Sequence, residues 1–207
     1  AMAQTLSPQT FRAAEPQRQE LGALQLRRDQ LVSMRAEEKN RREGLGDAAI
    51  LTAINHHIAF LDDAIAAIEH AIAALEAAYP PFRAAAALLR SIPGIGPVGC
   101  SVLLALMPEL GACSPKQVTA LAGLAPFNAD SGTMRGKRCI KGGRSRVRSA
   151  FYMAAVVASR GNSSFAAFYR RLIATGKPAK VALIAVARKI LVTANAVIRD
   201  QRPYQAA

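Results

Sequence analysis

Ser131 stands between Asp130 and Gly132 near the head of the stretch FNADSGTMRGKRCIKGGRSRVRS, which runs from Phe127 to Ser149. A serine hydroxyl becomes a useful nucleophile when a base, a metal or a strong electrostatic field activates it. The residues that follow could supply such a field. Arg135, Lys137, Arg138, Lys141, Arg144, Arg146 and Arg148 are interleaved with Gly136, Gly142 and Gly143, with no further acid among them. Cations placed this way can hold a scissile phosphate and neutralise charge developing on it. On spacing alone, Asp-Ser-Gly is equally an everyday turn. The pattern therefore permits nucleophilic chemistry at Ser131 without dictating it.

The cations are the firmer sign. Surfaces that only meet water usually mix signs, because self-repulsion destabilises the compact state. An unmixed basic loop points to a polyanion, most often nucleic acid. If about six of these side chains met phosphates, log K would fall against log[salt] with a slope of roughly −5. A second element could add to this surface. LLRSIPGIGPVGCSVLLALM, from Leu88 to Met107, reads as helix, glycine hairpin, helix. Gly94 and Gly96 allow backbone geometries and close approaches that other residues resist. The second helix would present the free N–H groups of Val98 and Gly99, which suit a phosphate; the alternative is a plain αα turn. Other chemistry-bearing residues do not assemble into a pattern. His56, His57 and His70 share one long helical segment with no ligand-spaced partners, and Asp62-Asp63 reads as a solvated face.

The charge is unevenly distributed. Of 27 Lys and Arg against 14 Asp and Glu, residues 131–199 hold 15 cations and no acid, whereas residues 1–130 are slightly acidic. A balanced segment is thus joined to a polycation. An anionic membrane is the weaker partner, because the cations are not confined to one face of a single amphipathic helix. No uncharged apolar run reaches the length of a spanning helix, about 18 residues. Cys100, Cys113 and Cys139 show no pairing pattern and are odd in number, which fits a reducing, cytoplasmic setting better than a disulfide framework.

The elements that must position these residues read as helices. The chain is 51% hydrophobic, rich in alanine and without Trp, a composition suited to close helix packing. Residues 15–43 form a polar helix with an apolar stripe at Leu21, Leu24, Leu31 and Met34. Asp47 can cap the next helix, about 48–79. There Ile54, Ile58, Leu61, Ile65, Ile68, Ile72, Leu75 and Tyr79 alternate at spacings of four and three, an a/d seam. The seam predicts an antiparallel hairpin or an intermolecular coiled coil that assembles subunits. Pro80-Pro81 ends it. Shorter helices are predicted near 83–91, 97–107, 115–122, 144–160, 164–175 and 178–199, with Pro115 and Pro178 in first turns and a short hairpin around 132–140. The predicted fold is all-α: a tail over 1–14, a long helical hairpin or coiled coil over 15–81, and a compact helical domain over 82–203 with a helix-hairpin-helix-like element.

Taken in order, LLRSIPGIGPVGCSVLLALMPELG, KQVTALAGLAPFNADSG and RGKRCIKGGRSRVRSAFYMAA resemble the C-terminal transposase domain of the insertion-sequence-110 family of transposases, which includes pilin-gene inverting and bridge-RNA-guided recombinases. LRRDQLVSMRAEEKNRRE resembles the start of that family's coiled coil. The resemblance spans most of residues 20–200. It implies that Ser131 is the nucleophile on a DNA phosphodiester. It also implies a composite active site with an N-terminal acidic ribonuclease-H-like domain that binds a divalent metal such as Mg. The partners it implies are DNA, in some members a structured guide RNA, and a second copy of the chain through the coiled coil. This sequence holds no such acidic domain. The reading is therefore of a piece of a longer bacterial DNA recombinase, able to bind nucleic acid and self-associate but not to exchange strands alone. The rival reading is a non-enzymatic nucleic-acid-binding and oligomerisation module in which Ser131 is a turn residue.

Overall fold

The computed structural model describes residues 15–127 and 139–206. Two long helices lead. Helix α1 spans Pro16–Arg42 and α2 spans Ala48–Ala78. Asp47 caps α2 as expected, its carboxylate accepting from the amides of Ala49 and Ile50 at 2.9 and 3.1 Å. The cross-pairs Arg28–Glu69, Arg35–Asp62 and Arg42–Asn55 step in opposite directions along the two helices, so they run antiparallel.

The seam is buried within the chain. Leu61 and Ile65 pack with Leu31 of α1 in a small cluster of their own, while Leu21 and Ile72, nearer the hairpin's base, join the main core. Of the two arrangements the heptad spacing allows, this is the hairpin. Ile58, Leu61, Ile65 and Ile72 of the seam are buried within the chain, and α1 is the helix that packs along α2.

Tyr79 closes α2 and opens α3, Pro80–Arg90, with extended backbone between two helical turns. The two prolines therefore end one helix and begin another, three residues earlier than the sequence suggests. Helix α4, Pro97–Leu106, follows; its residues from Cys100 to Ala105 are all buried. Helix α5, Pro115–Leu121, opens on a capping box: Ser114 Oγ accepts from the Gln117 amide, and the Gln117 side chain accepts from the Ser114 amide. A two-residue strand pair comes next, β1 Pro126–Phe127 and β2 Cys139–Ile140, antiparallel with Phe127 opposite Cys139. The first strand precedes the range expected for the hairpin. Helices α6 Ser145–Arg160, α7 Ser164–Ala174 and α8 Ala179–Asp200 complete the fold. Pro97 and Pro115 hold first-turn positions; Pro178 instead sits just outside α8 as its N-cap.

Helix α8 is the axis of the core. It is long and apolar enough to cross a bilayer by length and composition. Here its small and branched residues Ala182, Val186, Ala187, Ile190, Leu191 and Ala194 are fully buried, and α6, α7, α5 and α3 pack around the helix. Alanine at three of these positions lets neighbouring backbones approach closely. Asn195, also buried, ties α8 to the segment before α5. Its Oδ1 accepts from the Gly111 amide at 2.9 Å and its Nδ2 donates to the Cys113 carbonyl at 2.8 Å.

Candidate nucleic-acid interface

The strand pair holds Phe127 and Cys139 side by side and so brings together the two ends of segment 128–138. Ser131, Arg135, Lys137 and Arg138 lie on that segment, outside the described residues. What the structure describes is the frame around them. Two glycine turns cross at its base. Gly123, just after α5, and Gly143, just before α6, both have positive φ. A Cβ on Gly123 would collide with the Gly142 carbonyl, and a Cβ on Gly143 with the Gly123 backbone. The Arg144 amide donates to the Leu121 carbonyl at 2.8 Å across this crossing. Backbone-on-backbone packing thus accounts for the second glycine of KGGR, Gly143, whereas Gly142 has open space around it and a positive φ of 69°.

Helix α6 starts with an excess of cations. Arg144 is its N-cap, and Arg146 and Arg148 follow in the first turns with no acid among them. Cations at this end oppose the helix dipole, so their charge must be compensated. Two of the cations that the sequence reading turned toward a polyanion are paired within the chain. Arg144 forks onto Glu109 at 2.6 and 2.7 Å. Those hydrogen bonds hold the Glu109 carboxyl below the usual range, and burial only partly offsets them. Arg146 forks onto Asp29 of α1, Nη2 donating to Oδ1 at 2.8 Å and Nε to Oδ2. Arg148 donates to the Gly142 carbonyl at 2.5 Å, and Lys141 is exposed. Neither of these two has a carboxylate partner among the described residues.

A groove of about 300 Å³ runs between the start of α4 and the outer face of α6, lined by Gly96, Val98, Gly99, Arg146, Ser149 and Met153 among others. Gly96 is the exposed N-cap of α4 and gives it no side-chain cap. No acceptor within the described chain meets the amides of Val98 and Gly99. Met153 and Val157 stand 58% exposed along the same groove. Gly94 has a different task. Its φ is +94°, and the Ala154 carbonyl of α6 sits where its Cβ would be. It permits the contact between the α3–α4 turn and α6 that forms one end of the groove.

The sequence reading missed Glu109 and Asp29. They lie 35 and 117 residues from their arginines, and no local pattern marks either. His57 lies 3.1 Å from Glu38 and stacks on Phe60. Cys100 is buried, which pushes its thiol up to about 12, whereas Cys139 is exposed beside segment 128–138. Among the described residues no three His, Cys, Asp or Glu side chains converge.

Residues 86–170, from α3 into α7, match the model of the Transposase IS116/IS110/IS902 family. The chain is 31% identical over 188 residues to the pilin gene-inverting proteins of Moraxella lacunata and Moraxella bovis. That match covers 89% of this chain and 58% of theirs, so the chain spans a little over half the length of these relatives. It is also 34% identical over 126 residues to a 42 kDa protein of insertion element IS900 from Mycobacterium paratuberculosis, covering 59% of this chain and 31% of that one. The matched segment contains the α4 groove, the strand pair and the first turns of α6.

Proposed function

Starting from residues 86–170 as a transposase domain of the IS116/IS110/IS902 family, we propose that this chain supplies the serine side of a DNA recombinase. In this reading Ser131 Oγ attacks a DNA phosphodiester. The bond from phosphorus to one sugar oxygen breaks as the bond to Ser131 forms, and the departing oxygen takes up a proton. The phosphoserine link keeps the bond's energy for rejoining to a different hydroxyl, which recombination requires and hydrolysis does not. Lys141 and Arg148, with Arg135, Lys137 and Arg138 of segment 128–138, neutralise the phosphate. The open amides at the start of α4, beside Gly96, take a neighbouring phosphate, with Met153 and Val157 against the sugars. DNA is the proposed partner, together with a structured RNA where the recombination is guided.

The observation that carries this reading is the frame itself. A strand pair brings both ends of the serine segment to the cation-rich start of a helix, inside the segment that matches a transposase family. The test is covalent trapping. The chain, fused to the part of a pilin gene-inverting relative that it does not cover, is incubated with divalent metal, element-end DNA and element RNA. A denaturant-resistant protein–DNA adduct is expected, and Ser131→Ala should abolish it. An adduct that persists in Ser131→Ala returns Ser131 to turn chemistry. Salt-sensitive binding with no adduct in either protein supports the binding-module reading.

A further inference from the structure

The groove and the serine frame use the cations at the start of α6. The cations that follow in sequence lie elsewhere and are unused by that reading. Residues 149–199 carry no carboxylate side chain, and Arg170, Arg171, Lys177, Lys180, Arg188 and Lys189 make no ion pair among the described residues. Two of them converge. The Arg171 guanidinium lies 5.3 Å from the centre of the Phe168 ring, and Lys189 Nζ lies 4.9 Å from the same centre. Both line one cleft of about 230 Å³ with Ser164, Ala167 and Phe168, where α7 packs on α8. Ser164 Oγ is 2.7 Å from the Tyr204 hydroxyl, and either oxygen can donate. With Tyr204 donating, the Ser164 hydrogen is free for a ligand.

Two like charges drawn onto one ring repel each other, and the ring's quadrupole offsets that only in part. At the start of α6 two of the three close-set arginines are answered by a carboxylate, Arg144 by Glu109 and Arg146 by Asp29. At the α7–α8 cleft no carboxylate among the described residues answers them. We infer that the α7–α8 cleft formed by Ser164, Phe168, Arg171 and Lys189 is a second nucleic-acid contact, seating a backbone phosphate apart from the serine segment. The occupant is a phosphodiester. The cleft holds two cations against one ring and a hydroxyl around a space the size of a phosphate with its sugar, and the further unpaired cations on α7 and α8 suit a chain of phosphates more than a single anion. This inference rests on the proposed function only for the identity of the polyanion.

The experiment compares the whole chain with two double variants in anisotropy titrations across salt concentrations. The probes are labelled duplex DNA and duplex RNA, with inorganic phosphate and anionic phosphatidylserine vesicles run alongside. Arg171→Gln with Lys189→Gln removes the cleft cations. Arg27→Gln with Arg42→Gln removes the same charge from the hairpin. All these side chains are exposed, and thermal melts establish that each variant is folded. The cleft variant is expected to lose on the order of tenfold in affinity for at least one duplex. Its plot of log K against log[salt] should be shallower by about two, near 0.9 for each phosphate no longer neutralised. The hairpin variant should keep a slope close to that of the parent. Equal slopes for the two variants, or a cleft-dependent response to phosphate or vesicles but to neither duplex, would overturn the inference. The covalent adduct is scored separately. Ser131-dependent adduct with equal slopes sinks only this inference, and a cleft-dependent slope without adduct sinks only the catalytic role of Ser131.

Discussion

The two ends of this chain treat charge in opposite ways. Along the α1–α2 hairpin carboxylates answer most of the interlocking cations: Arg28 meets Glu69 at 2.6 Å across the helices, Arg35 meets Asp62 at 2.5 Å, and Glu38 is shared by Arg41 of its own helix and His57 of α2. On α7 and α8 no carboxylate appears until Asp200. Between them lies the start of α6, whose arginines use carboxylates from other elements, Asp29 of α1 and Glu109 after α4. A helix pair with matched charge is complete as a scaffold. A helix pair with unmatched charge retains a repulsion that an external anion can relieve. The hairpin therefore reads as support and the far helices as surface, with α6 as the joint.

The largest effects should come from packing, and they sharpen the same division. Leu191 is fully buried at the centre of the main core, whereas Leu61 belongs to a cluster of three buried residues in the hairpin. Leu191→Ala should destabilise by about 3–5 kcal/mol and Leu61→Ala by about 2 kcal/mol in urea melts, because the thinner hairpin can relax around the lost methyls. Equal losses would mean that the hairpin is packed as firmly as the core. Leu61→Glu with Ile65→Glu should go further and part α1 from α2. Amide exchange should then speed up near these positions in both helices and stay slow in α8.

A smaller effect separates two carboxylates by sign. Hydrogen bonds from Arg144 hold Glu109 below the usual range, while burial raises Glu76 despite its bond to Arg90. Stability from Glu109 is present above its unfolded value, about 4.3, and is lost as pH falls through the lower folded value. Glu109→Gln should therefore cost on the order of 1 kcal/mol at pH 7, since the pair is a partly exposed fork, and nothing once the pH is well below 4. Glu76 has the opposite slope, with stability lost as pH rises from about 4.3 through its raised folded value. Relative to the parent, Glu76→Gln should therefore improve over that rise. Parallel pH profiles for the two variants would contradict these assignments.

Much of this architecture can be read from local signals. The heptad spacing located α2, Asp47 marked its start, and prolines marked the starts of α4 and α5, because each acts within one or two helical turns. The seam's partner was not legible, since a heptad has the same spacing whether it meets its own chain or another. Nor was the task of Gly123 and Gly143, which exists only where two distant turns cross. The strand pair was misplaced because two residues are too few to show alternation. At the site, the concentration of cations was visible, but which of them were already paired was not: Arg146 and Asp29 are 117 positions apart. The Arg171–Lys189 cleft was hidden for the same reason. The acid-free run announced it, but the packing of α7 on α8 selected the two cations that share a ring.

The finest test of the comparison concerns the joint, where Arg146 is both paired and aimed at the α4 groove. Asp29→Asn removes the charge that holds it. Side chains on both sides of this pair are about a third exposed, so the loss of stability should be small, on the order of 0.5 kcal/mol. The effect on binding depends on what Arg146 does. If its task is only to fasten α6 to α1, DNA affinity should rise slightly through net charge, with an unchanged salt slope. If the pair instead holds Arg146 back from a phosphate in the groove, releasing it from Asp29 should add a counterion-releasing contact, and the slope should steepen by about 0.9. The steeper slope is expected, because Arg146 sits in the groove beside open α4 amides, whereas Arg144 forks onto a carboxylate away from it. Glu109→Gln is the matched control: it frees Arg144 in the same way and should leave the slope where it was.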